Sequence, residues 1–341
     1  MSAETWNFSW DMGAAEVARV GGMVGPVTFV LPDGRRVQPF AVAPWGDDAG
    51  AEHAALPELL KRLRGEWVCV PFGMPEPPPL PAGWRDEGAV PSGDGAFGMH
   101  GPSSNQPWEL VRVEEGSIEL ALDYPENHPV KRVTRTIRGV PGKAALAFTL
   151  GIEVRRATEL PIGLHPVFRL PEGAGKARLQ FGGAPLAYTY PIDVEAGVSR
   201  ILHGQQGVPL DAVPLWDGGV ADATAHPLAF GTEELLLVTG SDGRASLSNF
   251  DEGYRVSLEW DPAAFPSCNL WISNTGRSAY PWNSRHRALG IEPVAAPFDL
   301  GVDVARNAES PLRRAGVATA QKFVPEAIWT THYQISVEPI F

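Results

Sequence analysis

Glycine and proline break this chain into many short segments, and no other feature of the sequence constrains its fold as strongly. Among 341 residues, 37 are glycine and 33 are proline. Helix interiors disfavour both residues, whereas the turns between strands use both. Apolar residues in the segments between them mostly recur at every second position, the period of a half-buried strand. The sequence therefore predicts an all-β protein whose sheets pack face to face.

Two hairpins are the clearest local predictions. Residues 27–31 and 37–40 flank an Asp33-Gly34 turn, and residues 110–113 and 118–122 flank the turn at 114–117. In the second hairpin we expect apolar and charged side chains on opposite faces. Further strands are predicted at 145–150, 235–238, 255–260, 270–273 and 331–337.

One helix is predicted over residues 52–64. Leu56, Leu59, Leu60 and Leu63 form an apolar stripe at helical spacing there, and we expect it to cover a sheet edge. Residues 71–107 are rich in proline, glycine and serine. Such a composition suits either an interdomain linker or a long ordered loop that carries binding residues, and we favour the loop. The chain is then one domain over residues 1–341, a length that a β-sandwich can reach without dividing.

Charge and cysteine content narrow the class of partner. The formal net charge is −12, which disfavours nucleic acid and favours a small neutral ligand. No apolar run is long enough for a membrane span, and the first residues lack the features of a secretory signal, so we expect a cytoplasmic protein. Cys69 and Cys268 lie in apolar segments and are predicted to be buried thiols rather than a disulfide or zinc site. The chain is expected to be a monomer or a homodimer.

Three polar residues in short motifs are candidates for chemistry. His100 follows Met99 and precedes Gly101, which allows a ligand to approach the backbone closely. His165 lies between Leu164 and Pro166, and the neighbouring prolines restrict the direction of its imidazole. Either histidine has a structural alternative as a buried residue bound to a carbonyl group.

Glu292 lies in an apolar stretch, where a lone carboxylate is costly unless it is paired or functional. Burial there raises a carboxyl pKa and produces an effective general base. The competing interpretation is a buried salt bridge to Arg287 or Arg285. Trp108 offers an aromatic face for a sugar ring, although it suits a core position equally well.

These motifs together resemble those of the aldose 1-epimerases, in the galactose mutarotase-like superfamily. The resemblance rests on His100-Gly101 with Asn105 to Glu109, on Gly163-Leu164-His165-Pro166-x-Phe168, and on Gly290-Ile291-Glu292-Pro293-Val294-x-x-Pro297-x-Asp299. It implies a large antiparallel β-sandwich with one or two short helices, a shallow sugar cleft, and neither a metal nor an organic cofactor. It also implies that His165 protonates the ring oxygen, that Glu292 deprotonates the C1 hydroxyl, and that His100 helps to bind the ring.

Two elements of the resemblance are incomplete. An arginine is expected upstream of the first histidine, but residues 70–75 contain none. An aspartate that holds sugar hydroxyls is also expected, and Asp222 or Glu233 are the candidates to replace it. Trp271, Trp282 and Tyr280 are candidate cleft residues. His286 in a charged turn is expected to be exposed, although a place at the cleft rim stays open.

The function predicted from these residues is interconversion of the α and β anomers of an aldose or hexose derivative. A hexose 6-phosphate epimerase is one alternative, for which Arg169, Arg285 and Arg287 are the candidate phosphate ligands. A carbohydrate-binding protein without turnover is another. Lyase or hydrolase action on a polysaccharide is a third, since one fold supports several functions.

Overall fold

A large and a small antiparallel sheet build the molecule, and a computed structural model describes residues 4–86, 88 and 90–340. The strands are β1 (Thr5–Trp10), β2 (Gly13–Ala18), β3 (Val24–Val30), β4 (Arg36–Val37), β5 (Val68–Cys69), β6 (Glu109–Glu114), β7 (Ser117–Asp123), β8 (Val130–Gly139), β9 (Ala145–Val154), β10 (Thr158–Leu160), β11 (Ile162–Leu164), β12 (Val167–Arg169), β13 (Ala177–Thr189), β14 (Val213–Pro214), β15 (Val220–Ala221), β16 (Ala225–His226), β17 (Thr232–Asn249), β18 (Tyr254–Trp260), β19 (Ser267–Asn274), β20 (Arg287–Ala295), β21 (Gln321–Phe323) and β22 (Trp329–Pro339). The helices are α1 (Ala51–Ala54), α2 (Glu58–Lys61), α3 (Gly101–Asn105), α4 (Gly301–Arg306) and α5 (Pro311–Arg314), with a 3-10 turn at Leu210–Ala212.

Within the described residues the large sheet has 14 strands, with β5-β11-β20-β19-β17-β18-β22-β9-β8-β7-β6 as its main order. The small sheet is β1-β2-β3-β4. One hydrophobic cluster includes buried side chains of both sheets, among them Phe8, Val17, Phe29, Ile118, Leu146 and Ile335. The predicted all-β architecture of sheets packed face to face is therefore confirmed. No helix in the described part of the chain is both long and apolar enough to cross a bilayer.

Both predicted hairpins are present. β3 pairs with β4 through Phe29 opposite Val37, and β6 pairs with β7 through Val113 opposite Ile118. The prediction that apolar and charged side chains lie on opposite faces holds for β7. It does not hold for β6, whose six residues are all exposed. β6 is an edge strand, and no other element covers either of its faces.

The single predicted helix over residues 52–64 is wrong in detail. Two four-residue helices, α1 and α2, replace it. Pro57 lies between them, and proline has no amide hydrogen to continue a helix and disfavours helical backbone in the residue before it. Three of the predicted stripe residues, Leu59, Leu60 and Leu63, line a cavity rather than covering a sheet edge.

A fully buried ion pair ties the two sheets together. The Arg135 guanidinium on β8 donates to the Glu66 carboxylate, to the carbonyl oxygen of Gly22 at 2.8 Å and to the hydroxyl of Tyr333 at 2.9 Å. Tyr333 in turn donates to Glu66 at 2.7 Å. Glu66 and Val24 exchange backbone hydrogen bonds beside the small sheet. This cluster therefore fixes the segment that leads into β5.

Candidate active site

Three neighbouring strands of the large sheet bring the candidate residues together. Glu292 lies in the middle of β20, and Asn269 on β19 is its cross-strand partner. On the other side, β11 and β12 pair with the two ends of β20 and leave residues 165–166 between them. The amide of Ile291 donates to the carbonyl oxygen of Pro166 at 3.0 Å, which holds this interruption against β20. His165 is therefore placed across from Glu292 by strand pairing.

The two predicted catalytic groups face each other inside the protein. Nδ1 of His165 lies 3.4 Å from Oε1 of Glu292, and the side chains are 7% and 2% exposed. Neither of these two atoms has a hydrogen-bond partner. A Cβ at position 290 would lie 2.3 Å from Oε1 of Glu292, so Gly290 is needed to leave space for the carboxylate. The alternative considered for Glu292, a salt bridge to Arg287 or Arg285, is absent among the ion pairs of the described residues.

Aromatic contacts fix the His165 ring. It stacks on Trp67 with a centroid distance of 4.0 Å and an interplanar angle of 17°, while Trp271 meets it edge-on at 5.9 Å. The backbone amide of His165 also donates to the Trp67 carbonyl oxygen at 2.8 Å. These contacts hold the imidazole in one plane, as a group that transfers a proton requires.

His100 has a left-handed backbone with φ of 61° directly before α3. Gly73 binds it at two points: the His100 amide donates to the Gly73 carbonyl at 2.7 Å, and the Gly73 amide donates to Nδ1 of His100 at 3.1 Å. Because Nδ1 accepts, the neutral ring carries its proton on Nε2. The His100 ring lies 5.2 Å from that of His165. His100 thus offers a neutral N–H donor to the cavity that the two rings share.

Burial controls the proton affinity of all three groups. It lowers the pKa of His100 to about 3 and the pKa of His165 well below its ordinary value, with a further lowering of the latter by His100. It raises the pKa of Glu292 well above its ordinary value, and the nearby charge of Asp299 adds to that rise. Loss of water disfavours the charged form of each group.

A second carboxylic acid borders the same cavity. The hydroxyl of Tyr190 donates to Oδ1 of Asp299 at 2.8 Å. Burial raises the pKa of Asp299 above its ordinary value, although the hydrogen bond from Tyr190 opposes that change. The cavity therefore contains two carboxyl groups whose environment favours the protonated form.

Glu233, predicted to bind sugar hydroxyls, lies beneath Trp271 instead of lining the cavity. Its carboxylate accepts hydrogen bonds from the Trp271 indole and from Ser273 Oγ, and it pairs with Arg277 at 3.3 Å. Ser273 also contacts Nδ1 of His286 at 2.9 Å. Glu233 thus holds Trp271 and Arg277, both of which line the cavity.

His286 is buried, which corrects the expectation that it is solvent-exposed. It stacks on Trp271 with a centroid distance of 5.5 Å, and burial lowers its pKa to about 3. Trp282 lines the cavity as predicted from its aromatic character. Tyr280 instead contacts His53 at 3.3 Å, at the outer end of the same connection.

The cavity has a volume of about 580 Å³, and its floor contains His100, His165, Asn269, Glu292 and Asp299. Both side-chain amide atoms of Asn269 are buried and lack a hydrogen-bond partner. Buried polar atoms in folded proteins are rarely left unpaired, and those that are tend to meet a ligand or water. In the described residues, no group of three or more His, Cys, Asp or Glu side chains is arranged to hold a metal ion.

Three predicted binding residues lie elsewhere. Trp108 is fully buried in the hydrophobic core and donates from Nε1 to the Ser103 carbonyl at 2.8 Å, so no sugar can reach its face. Asp222 accepts from the Thr224 amide and pairs with Arg178 at 2.8 Å in a surface turn. Arg287 lies at the start of β20 and is not among the residues that line the cavity. Each of these expectations is corrected.

The sequence offered only partial signals for the residues that were missed. Asn269 is an amide between apolar neighbours in a strand whose side chains are mostly buried, which marks it as a candidate. Asp299 closes the third motif, but the sequence did not separate it from the structural residues there. Arg277 and Tyr190 have no distinctive local pattern, and only the fold brings them to the cavity.

No protein-family model matches this chain. No curated protein matches it in sequence either. Solved structures do match in shape over nearly the whole chain. A putative aldose 1-epimerase from Escherichia coli K12 has a TM-score of 0.64 at 16% identity, with 98% of this chain and 99% of that chain covered.

Two further solved structures agree. A GalM/aldose epimerase homologue from C. elegans has a TM-score of 0.61 at 13% identity over 100% of both chains. A galactose mutarotase related enzyme from Lactobacillus acidophilus has a TM-score of 0.57 at 14% identity over 98% of both chains. At such identities the comparisons establish architecture alone. The chain thus has the galactose mutarotase-like fold, as the three sequence motifs predicted.

Proposed function

We propose that this protein is an aldose 1-epimerase, which interconverts the α and β anomers of a reducing sugar by opening and closing its ring. The observation that carries the proposal is the buried pair of His165 and Glu292 at the floor of a cavity, where Nδ1 and Oε1 face each other at 3.4 Å and neither atom has a hydrogen-bond partner. One acid and one base in reach of a hemiacetal are the minimum that the reaction needs.

In the proposed reaction, His165 gives a proton to the ring oxygen while Glu292 takes the proton of the C1 hydroxyl. The bond between C1 and the ring oxygen breaks, and C1 becomes a carbonyl carbon. Rotation about the C1–C2 bond presents the other face, and the two proton transfers reverse to close the ring. The N–H at Nε2 of His100 supports the ring oxygen as it gains negative charge.

The pair must hold one proton in total for this cycle. Burial disfavours both charges, so without a sugar the proton belongs on Glu292, which is also its position after ring opening. Sugar hydroxyls supply the hydrogen bonds that the buried atoms lack, and such bonds favour the charged forms. Binding of substrate therefore moves the proton toward His165 and prepares the first transfer.

A phosphorylated hexose has less support. Arg285, one of the predicted phosphate ligands, pairs with Asp48 at 2.6 Å, and Arg169 pairs with Glu252 outside the cavity. Arg277 does line the cavity, but Glu195 at 2.9 Å and Glu233 at 3.3 Å already balance its charge. A neutral sugar suits these surroundings better.

Both cysteines are buried free thiols, which fits the proposed cytoplasmic location.

NMR saturation transfer between the anomeric protons of D-glucose and D-galactose tests the proposal. We expect exchange with the wild type and a loss of roughly 10²- to 10⁴-fold in His165→Ala and in Glu292→Gln. The matched controls are His332→Ala and Glu338→Gln, which change exposed residues on β22 and should leave exchange unchanged.

Two results would contradict the proposal. Sugar binding without exchange in the wild type would favour a carbohydrate-binding protein. Exchange that persists at full rate in both site variants would move catalysis to other residues.

A further inference from the structure

The cavity has walls that differ chemically from its floor. The floor strands supply histidine, amide and carboxyl groups, whereas the connections above them supply Leu59, Leu60 and Leu63 near α2, Ile192 and Val194 after β13, and Trp282 before β20. Of these wall residues, Leu60, Ile192, Val194 and Trp282 are only partly buried and pack on the hydrophobic cluster around Trp45. They therefore present apolar surface to the open part of the cavity.

The size of the cavity exceeds that of one sugar ring. Pockets that hold drug-sized ligands have volumes of roughly 300 to 1,000 Å³, and this one, at about 580 Å³, lies within that range. A hexopyranose fills only part of such a space. Its hydroxyl groups can be satisfied at the floor, but the walls offer them few hydrogen-bond partners, so an unsubstituted sugar would leave the apolar walls in contact with water.

The charged groups around the cavity do not favour an anionic ligand. Among the described residues that line the cavity, Arg277 is the one with a permanent positive charge. Glu195 and Glu233 pair with it, and its guanidinium lies 4.8 Å above the Trp282 ring. Glu76 and Asp193 at the rim add negative charge. A phosphate or carboxylate substituent would meet repulsion there, whereas a neutral apolar group would not.

We propose that the substrate is a reducing sugar that carries a neutral apolar substituent, such as an arylalkyl ether or a carboxylic ester, on an oxygen other than that of C1. The anomeric centre lies at His165 and Glu292, and the substituent lies against Leu60, Ile192 and Trp282. This inference rests on the proposed epimerase function for the position of the anomeric centre. Burial of an apolar group in the walls adds binding energy that the parent sugar lacks.

Matched pairs of ligands test the inference. D-glucose is compared with its 3-O-, 4-O- and 6-O-benzyl ethers, which all keep a free anomeric hydroxyl. Dissociation constants are measured by calorimetry, and anomer exchange by NMR. We expect at least one ether to bind about 10- to 100-fold more tightly than glucose, the gain that burial of a phenyl-sized group provides.

Variants of the wall localise the effect. Leu60→Gln and, independently, Ile192→Gln should each reduce the ratio of ether affinity to glucose affinity by about tenfold. Leu186→Gln, at an exposed leucine outside the cavity, should leave that ratio unchanged. Two wall variants are used so that the loss of one to misfolding does not remove the test.

The outcomes separate this inference from the proposed function. If every ether binds no better than glucose, or if no ether binds at all, the apolar walls are not a substituent site and the inference is overturned. If ethers bind more tightly but no sugar is exchanged, the substituent site is supported and the epimerase function fails. If glucose is exchanged and every ether is excluded, the function stands and the inference fails.

Discussion

Two of the buried polar clusters in the described part of the chain differ in how completely their atoms are paired. In the cluster of Arg135, Glu66 and Tyr333, three protein groups donate to or accept from one another, and only Nε of Arg135 is left without a partner. In the cluster of His165, Glu292 and Asn269, the facing atoms have none. Both clusters are removed from water.

The difference distinguishes a structural role from a functional one. A buried ion pair whose carboxylate and hydroxyl partners lie within the protein fixes geometry and leaves neither of them free for a ligand. Unpaired buried groups destabilise the empty protein, and a fold retains them where a ligand or a reaction uses them. The comparison therefore predicts opposite consequences for substitutions in the two clusters.

The largest expected effect is that of Glu292→Gln on activity. We expect anomer exchange to fall by roughly 10²- to 10⁴-fold, because the general base is lost. Stability should change in the opposite direction. The pKa of Glu292 is raised in the folded protein, so its contribution to stability is complete below the unfolded pKa of about 4.5 and is lost as pH rises through the folded pKa. The variant should therefore gain stability over the wild type as pH increases.

Urea unfolding of both proteins at pH 5 and pH 8 checks the second part. A larger stability difference at pH 8, in favour of the Gln variant, agrees with an unpaired buried carboxyl. A variant that is less stable than the wild type at pH 8 would mean that Glu292 is held by interactions like those of Glu66.

The next effect is that of Arg135→Met on stability. Removal of one partner from a buried ion pair costs about 3–5 kcal/mol, because the other charge stays buried and uncompensated. We expect the free energy of unfolding to fall by that amount, with exchange per folded molecule retained. The double variant Arg135→Met with Glu66→Met removes both charges and should recover part of the loss. Equal losses of unfolding free energy in the single and double variants would contradict this account of the Arg135 and Glu66 pair.

A smaller effect is expected for Glu233→Gln. Glu233 shares features of both clusters. Glu233 is paired, yet its partners Trp271 and Arg277 line the cavity. An amide keeps an acceptor for Trp271 but loses the charge opposite Arg277. We expect KM to rise by about tenfold, the equivalent of about 1.4 kcal/mol, with kcat little changed. A fall in kcat with constant KM would instead place Glu233 in the chemical step.

The smallest effect concerns acid stability. Burial lowers the pKa of His286 to about 3, so its neutral form contributes stability that is complete above the unfolded pKa of about 6.5 and is lost as pH falls toward 3. His286→Phe keeps an aromatic ring against Trp271 and removes this titration. Between pH 6.5 and 5.5 we expect its unfolding free energy to fall less than that of the wild type, by a difference of about 1 kcal/mol. Parallel slopes would show that His286 is protonated in the folded protein.

The sequence predicted the architecture and three residues of the cavity floor, His100, His165 and Glu292, for separable physical reasons. Strands are visible in local alternation, so β7, β9, β18, β19 and β22 lie where expected. The paired motifs around His165 and Glu292 were found because glycine and proline beside a polar residue mark unusual backbone. Trp108 and Asp222 were misassigned because a tryptophan or an aspartate has the same local context in a core or a surface turn as in a cleft.

The remaining cavity residues depend on long-range packing. Arg277 and Tyr190 reach the cavity through connections whose course no local pattern specifies, and Leu60 lines it because Pro57 divides the predicted helix. The extent to which each side chain is buried also cannot be predicted from the sequence alone. The direction in which the pKa values of His100 and Glu292 change follows from the absence of water around them, which only the folded chain creates.

A crystal structure of the wild type with a bound reducing sugar tests most directly whether unpaired buried groups mark the substrate site. The account predicts a pyranose whose ring oxygen lies within hydrogen-bond distance of His165 or His100, with its C1 hydroxyl on Glu292 and another hydroxyl on Asn269. A sugar bound elsewhere, with water satisfying these four side chains, would contradict it.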